Sequence, residues 1–135
     1  MIQVELTKII IDEKRRDQVI VLKEKDGERQ FPIVIGFLEA SSIKIKLSGV
    51  VVPRPMTHDL LLLTIKGLDA QLQSLVIDKM VKNTFHAKLI LKTSDGQRRE
   101  IDSRPSDGIA LAVRAGVPIF VEDEVMDVAS VYESE

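Results

Sequence analysis

The chain is 135 residues long, 44% hydrophobic and 30% charged, with a formal net charge of −2, which reads as one globular domain and not as a disordered or fibrous chain. The absence of cysteine excludes disulfides, iron–sulfur clusters and thiolate zinc sites. The charge balance and the 4% aromatic content exclude a basic coat or a base-stacking platform for nucleic acid, and leave room only for a small, local grip. No apolar run approaches the roughly 18 residues of a membrane span, and Met1–Glu5 lacks the basic and apolar regions of a signal peptide, so no membrane contact and a cytoplasmic location are expected.

Residues 2–11 and 17–24 are rich in Ile and Val and predict strands, joined by the charged turn Lys14-Arg15-Arg16-Asp17. Asp26-Gly27 predicts a hairpin turn in which glycine supplies a positive φ. The returning strand puts Phe31, Ile33 and Ile35 on one face, and its Pro32 predicts an edge or a bulge. After Gly36 the spacing of Phe37, Ala40, Ile43 and Leu47 predicts a helix ended by Gly49, although Ile43–Leu47 also alternates like a strand.

A second helix is expected from Arg54–Asp59 through about Ala70. Its Leu60–Leu63 are apolar nearly all round and must be covered by the domain or by a partner subunit. Strands follow at about Leu75–Val81 and Thr84–Lys92, then an Asp95-Gly96 turn and a strand over Arg98–Asp102. A third helix starts near Ser106, buries Ile109, Ala112 and Val113, and stops at Gly116. A short strand, Ile119–Val121, precedes an acidic tail helix; the domain is expected over 1–125 and the tail over 126–135. Leu22–Arg29 aligns without gaps on Leu91–Arg98, consistent either with two hairpin–helix halves or with two independent hairpins sharing a favoured turn. A true duplication would put Ile33 where the second half has Asp102, leaving the polar cluster to one half.

Side chains suited to catalysis gather in Arg54-Pro55-Met56-Thr57-His58-Asp59 and Asp102-Ser103-Arg104-Pro105-Ser106-Asp107. As structure alone, Thr57 and Ser106 cap helices while Asp59 and Asp107 meet the positive helix ends; a pairing of Arg104 with either Asp would lock those ends together. As chemistry, a helix start is a seat for phosphate, shared here by Ser106 with Arg54 and Arg104 as clamps. Asp102 and Asp107, with Glu39 as a third carboxylate, would hold Mg²⁺ or Mn²⁺. His58 would act as general base or acid, with Asp59, Asp102 and Asp107 completing the catalytic set. His86 is expected on an exposed face, and Glu122-Asp123-Glu124 with Asp127 as a solvated helix start.

At these residues the sequence resembles the bifunctional nuclease domain family. The resemblance is carried by Pro32–Gly36 with Glu39-Ala40, by Arg54–Leu60, by Asp102–Ala112 and by Val117–Val121. Gly108 departs from the alanine usual in that family, which loosens the helix start by up to about 1 kcal/mol. The resemblance implies an α+β fold with a strongly curved, largely antiparallel sheet and three to four packed helices, a homodimer, and DNase and RNase activity. The chain is therefore expected to hydrolyse phosphodiester bonds in DNA and RNA with little sequence preference and with help from a divalent metal. The alternative is a non-catalytic homodimeric module that binds an anionic ligand or a protein partner.

Overall fold

The computed structural model describes residues 1–12, 14 and 17–132. Strands β1 (Ile2–Ile10), β2 (Asp17–Glu24) and β3 (Arg29–Gly36) form an antiparallel meander that runs directly into helix α1 (Phe37–Leu47). Helix α2 (Thr57–Gly67) follows. A second antiparallel meander, β4 (Gln71–Val81), β5 (Thr84–Lys92) and β6 (Arg98–Ser103), leads to α3 (Pro105–Ala115). Strand β7 (Ile119–Val121), helix α4 (Asp123–Ala129) and the two-residue β8 (Val131–Tyr132) end the described chain.

The sheet order is β6-β5-β4-β7-β1-β2-β3-β8, and β4–β7 is its parallel pair. Short β7 therefore joins the two meanders edge to edge, and the fold is the expected α+β class. Four strands separate β5 from β3, so a flat sheet would hold them about 24 Å apart at 4.8 Å per strand. The rings of Phe31 on β3 and Phe85 on β5 nevertheless lie with centroids 5.4 Å apart. The sheet is strongly curved, and its concave side closes over one core in which Ile20, Leu22, Phe31, Leu75, Ile77, Ile109 and Leu111 are buried.

Local chemistry accounts for most boundaries. Pro105 occupies the first position of α3, where its missing N–H costs nothing, and Gly116 ends that helix with φ 69°. Beyond Gln30 the outer edge of β3 meets no further strand among the described residues, which fits Pro32 on an edge. Ile43–Leu47 is helical, because Ala40 and Ile43 reach the core only with helical spacing.

Several expectations change. Gly96 takes a positive φ but Gly27 does not; the first turn is instead tied by the Glu24 carboxylate, which accepts the Arg29 backbone N–H (3.1 Å) and Nε (2.7 Å). The helix caps are Met56 and Arg104, so Thr57 and Ser106 lie inside their helices and neither hydroxyl caps. Strand β4 begins at Gln71, earlier than the apolar run suggests, and α2 ends at Gly67. Helix α4 crosses the expected boundary at 125, with Met126 fully buried, so the packed domain extends into the expected tail. Arg15 and Arg16 of the charged turn, and residues 133–135 of the tail, lie outside the described residues. Gly108 has a packing reason: a Cβ there would sit 2.4 Å from Cδ1 of the fully buried Leu75. No described helix is long and apolar enough to cross a membrane.

Candidate active site

Helix α3 packs against both α1 and α2, and this brings together side chains from the first two turns of α1 and from the starts of α2 and α3. Glu39 and Ser42 come from α1, His58 from the first turn of α2, and Arg104 and Asp107 from the cap and first turn of α3. Ser42 Oγ lies 2.7 Å from His58 Nδ1, and His58 Nε2 lies 2.9 Å from Asp107 Oδ1. Arg104 contacts the other Asp107 oxygen through Nε at 3.0 Å and Nη2 at 2.8 Å, and its Nη2 reaches Glu39 Oε1 at 3.2 Å. The result is one continuous chain, Ser42–His58–Asp107–Arg104–Glu39.

Proton positions in this chain follow from what each group can do. Burial pushes the Asp107 carboxyl up, but the hydrogen bonds from His58 and Arg104 and their charges outweigh it, leaving the group below its ordinary range and ionised near neutral pH. A carboxylate only accepts, so the neutral His58 ring carries its hydrogen on Nε2. Nδ1 is then an acceptor, and the Ser42 hydroxyl donates to it. Ser42 and His58 are both buried, yet they line an open cavity of about 320 Å³ together with Glu39, Met56, Thr57, Arg104 and Asp107. Arg104 is two-thirds exposed and its Nη1 has no partner among the described residues.

The remaining expected residues lie elsewhere. Asp59 accepts the Met56 backbone N–H at 3.0 Å on one oxygen and Arg114 Nε at 2.7 Å on the other. These two bonds, the backbone one first, hold its carboxyl below the ordinary range. Arg114 is buried and also donates to the carbonyls of Ala110 and Ser42; the pair ties α1, α2 and α3 together behind the cavity. Asp102, on β6, is exposed and faces Lys88 Nζ at 3.5 Å, and none of its contacts reaches the cluster. Ser106 is buried and lines a neighbouring cavity of about 420 Å³ beside Arg104 and the free edge of β3. Arg54 is exposed just before α2 and makes no ion pair among the described residues. His86 is half-buried on β5, away from the cluster. A larger depression of about 640 Å³ between the end of α2 and the β5–β6 turn is lined by Lys66, Asp69 and Lys92, with no histidine.

As arranged, the carboxylates form no ready-made cage for a divalent cation. The Arg104 guanidinium already sits between Glu39 and Asp107, Asp102 is turned to Lys88, and no group of three or more His, Asp or Glu among the described residues is placed to hold a metal ion. The cluster also draws on both hairpin–helix halves and on α2 between them, so it does not belong to the second half alone. Ser42 is the participant that sequence reasoning missed; its only signal is a hydroxyl beside Ile43 on the buried side of a helix.

A curved α+β domain with a hydrogen-bonded hydroxyl–imidazole–carboxylate set beside an exposed guanidinium has the makings of an acid–base hydrolytic site. The chain belongs to the bifunctional nuclease domain family, whose pattern matches residues 20–134. It is 37% identical over 124 residues to an uncharacterised protein of Mycobacterium tuberculosis (strain ATCC 25618 / H37Rv), covering 92% of this chain and 73% of that one. It is 30% identical over 115 residues to bifunctional nuclease 2 of Oryza sativa subsp. japonica, and 29% identical over 111 residues to bifunctional nuclease 1 of Oryza sativa subsp. indica. These matches cover 82% and 78% of this chain but 35% and 33% of the rice proteins, so it corresponds to about a third of their length.

Proposed function

We propose that this chain is a nuclease that hydrolyses phosphodiester bonds of DNA and RNA with little sequence preference. The observation that carries the reading is the Ser42–His58–Asp107 hydrogen-bonded series opening onto a cavity with Arg104 at its rim. His58 accepts the proton of the attacking group, and Asp107 fixes the ring and stabilises the imidazolium that forms. Arg104 presents its unpaired Nη1 to a phosphate oxygen, with Arg54 as a second phosphate contact before α2. With a net charge of −2 the grip on nucleic acid is local, so backbone contacts are few and base readout is minor. Purified protein should cleave fluorescent single- and double-stranded DNA and RNA, and Asp107→Asn prepared identically should be at least ~100-fold slower. Equal traces of cleavage in both preparations would mean a contaminant, and tight anion binding without cleavage would mean a binding module.

The reading extends to assembly. Leu60, Leu61 and Leu63 of α2 are 58%, 41% and 52% exposed, so the domain itself leaves uncovered the helix face that its composition requires to be covered. A second copy of the chain packing on α2 supplies that cover in a homodimer.

A further inference from the structure

We propose that Ser42 Oγ is the nucleophile of this site and attacks phosphorus to form a phosphoseryl intermediate. The proposal rests on the nuclease reading for its substrate class and goes beyond it in naming the attacking atom. Three features carry it. First, both ring nitrogens of His58 are held by side chains of this chain, Nδ1 by Ser42 at 2.7 Å and Nε2 by Asp107 at 2.9 Å. The proton that His58 can accept without breaking either bond is therefore the serine's. Second, a hydroxyl inside a helix commonly donates back to the carbonyl four residues earlier, whereas the single hydrogen of Ser42 is given to an imidazole sixteen residues away in sequence. The turn of α1 that bears it is fixed from behind by Arg114, whose Nη2 donates to the Ser42 carbonyl at 3.2 Å. Third, an enzyme that cleaves DNA as well as RNA cannot rely on the substrate's 2′-hydroxyl as the internal nucleophile. No ready-made group of three or more metal-ligating side chains is present among the described residues, and Ser42 is the hydroxyl already on the base.

The chemistry balances as two in-line displacements. The Ser42 Oγ–phosphorus bond forms while the hydroxyl proton passes to His58 Nδ1, and the bond from phosphorus to the leaving oxygen breaks on the opposite side, where that oxygen takes a proton from solvent. Water then attacks phosphorus from the vacated side and releases a proton to solvent. Ser42 leaves and recovers its proton from His58. Two inversions give net retention at phosphorus.

The test uses the full chain and a fluorophosphonate probe, from which an activated serine displaces fluoride to leave a stable phosphonyl ester. Mass spectrometry should find the label on Ser42, absent in Ser42→Ala and formed at least ~100-fold more slowly in His58→Asn, with circular dichroism confirming that both variants fold. A wild-type chain left unlabelled at Ser42, or labelled equally fast in His58→Asn, overturns the proposal. A chiral phosphorothioate diester needs no variant: retention supports the serine, and inversion refutes it. Labelling of Ser42 without cleavage of any nucleic acid would overturn the nuclease reading while leaving the nucleophile in place.

Discussion

Replacing Asp59 by Asn removes one negative charge with almost no change of shape, and the structure sets what that charge holds. Its two oxygens accept the Met56 N–H at 3.0 Å and Arg114 Nε at 2.7 Å. Arg114 is 4% exposed and Asp59 30%. Breaking a fully buried pair costs roughly 3–5 kcal/mol; the partly exposed Asp59 end reduces this to about 2–3 kcal/mol, in line with a charged hydrogen bond plus a helix-start bond. At pH 7 the urea midpoint of Asp59→Asn should fall by about 0.7–3 M, given slopes of about 1–3 kcal/mol per M. The folded Asp59 carboxyl is lowered from 3.8, so its contribution is complete above the unfolded value and is lost as pH falls through the folded one. A protonated Asp and an Asn are nearly isosteric, so the difference between the two proteins should close progressively below pH 3.8. A difference under about 0.5 kcal/mol at pH 7 would refute the buried tie, since that is what an ordinary surface substitution costs. A difference unchanged in acid would refute its electrostatic origin.

Other consequences follow from the same packing. Gly108→Ala should destabilise by about 1–2 kcal/mol, because overpacking against Leu75 outweighs the gain in helix propensity; Leu75→Val should rescue it in a double-mutant cycle measured by denaturation. By light scattering the parent chain should be a dimer and Leu60→Glu with Leu63→Glu a folded monomer; an unchanged mass would refute the α2 interface. Arg54→Ala should weaken nucleic-acid binding equally across sequences and flatten its logarithmic salt dependence by about 0.7–0.9, the share of a single neutralised phosphate; an unchanged slope would remove Arg54 from the phosphate path.

Legibility in the sequence followed the range of the interactions. Strands β1 and β2 could be read from their richness in Ile and Val and β5 from its alternating apolar residues, both local signals, and the end of α3 because glycine takes the φ of 69° that Gly116 adopts without steric cost. The start of β4 escaped because Gln71–Ser74 supply just one buried side chain, Leu72, so pairing with β5 and not composition extends the strand. In the site, His58, Arg104 and Asp107 stood out as unusual residues at helix starts. Their convergence did not, since Asp107 meets a histidine 49 residues earlier and Arg104 a glutamate 65 residues earlier. Ser42 carries no local motif at all. Asp59 and Asp107 occupy the same position in similar segments, yet one meets buried Arg114 and the other faces the cavity, and that difference is made by helix packing alone.

The most direct measurement compares single-turnover cleavage of fluorescent RNA and DNA by the wild-type chain, His58→Asn and Asp102→Asn, purified side by side in Mg²⁺, Mn²⁺ or EDTA. If the site is the Ser42–His58–Asp107–Arg104–Glu39 cluster, His58→Asn loses at least ~100-fold, and Asp102→Asn stays within about threefold of wild type, under about 0.7 kcal/mol in barrier, as expected for an exposed residue paired with Lys88 outside the cluster. Full activity in His58→Asn, or its loss in Asp102→Asn, would contradict this site and move the chemistry to the β6 edge.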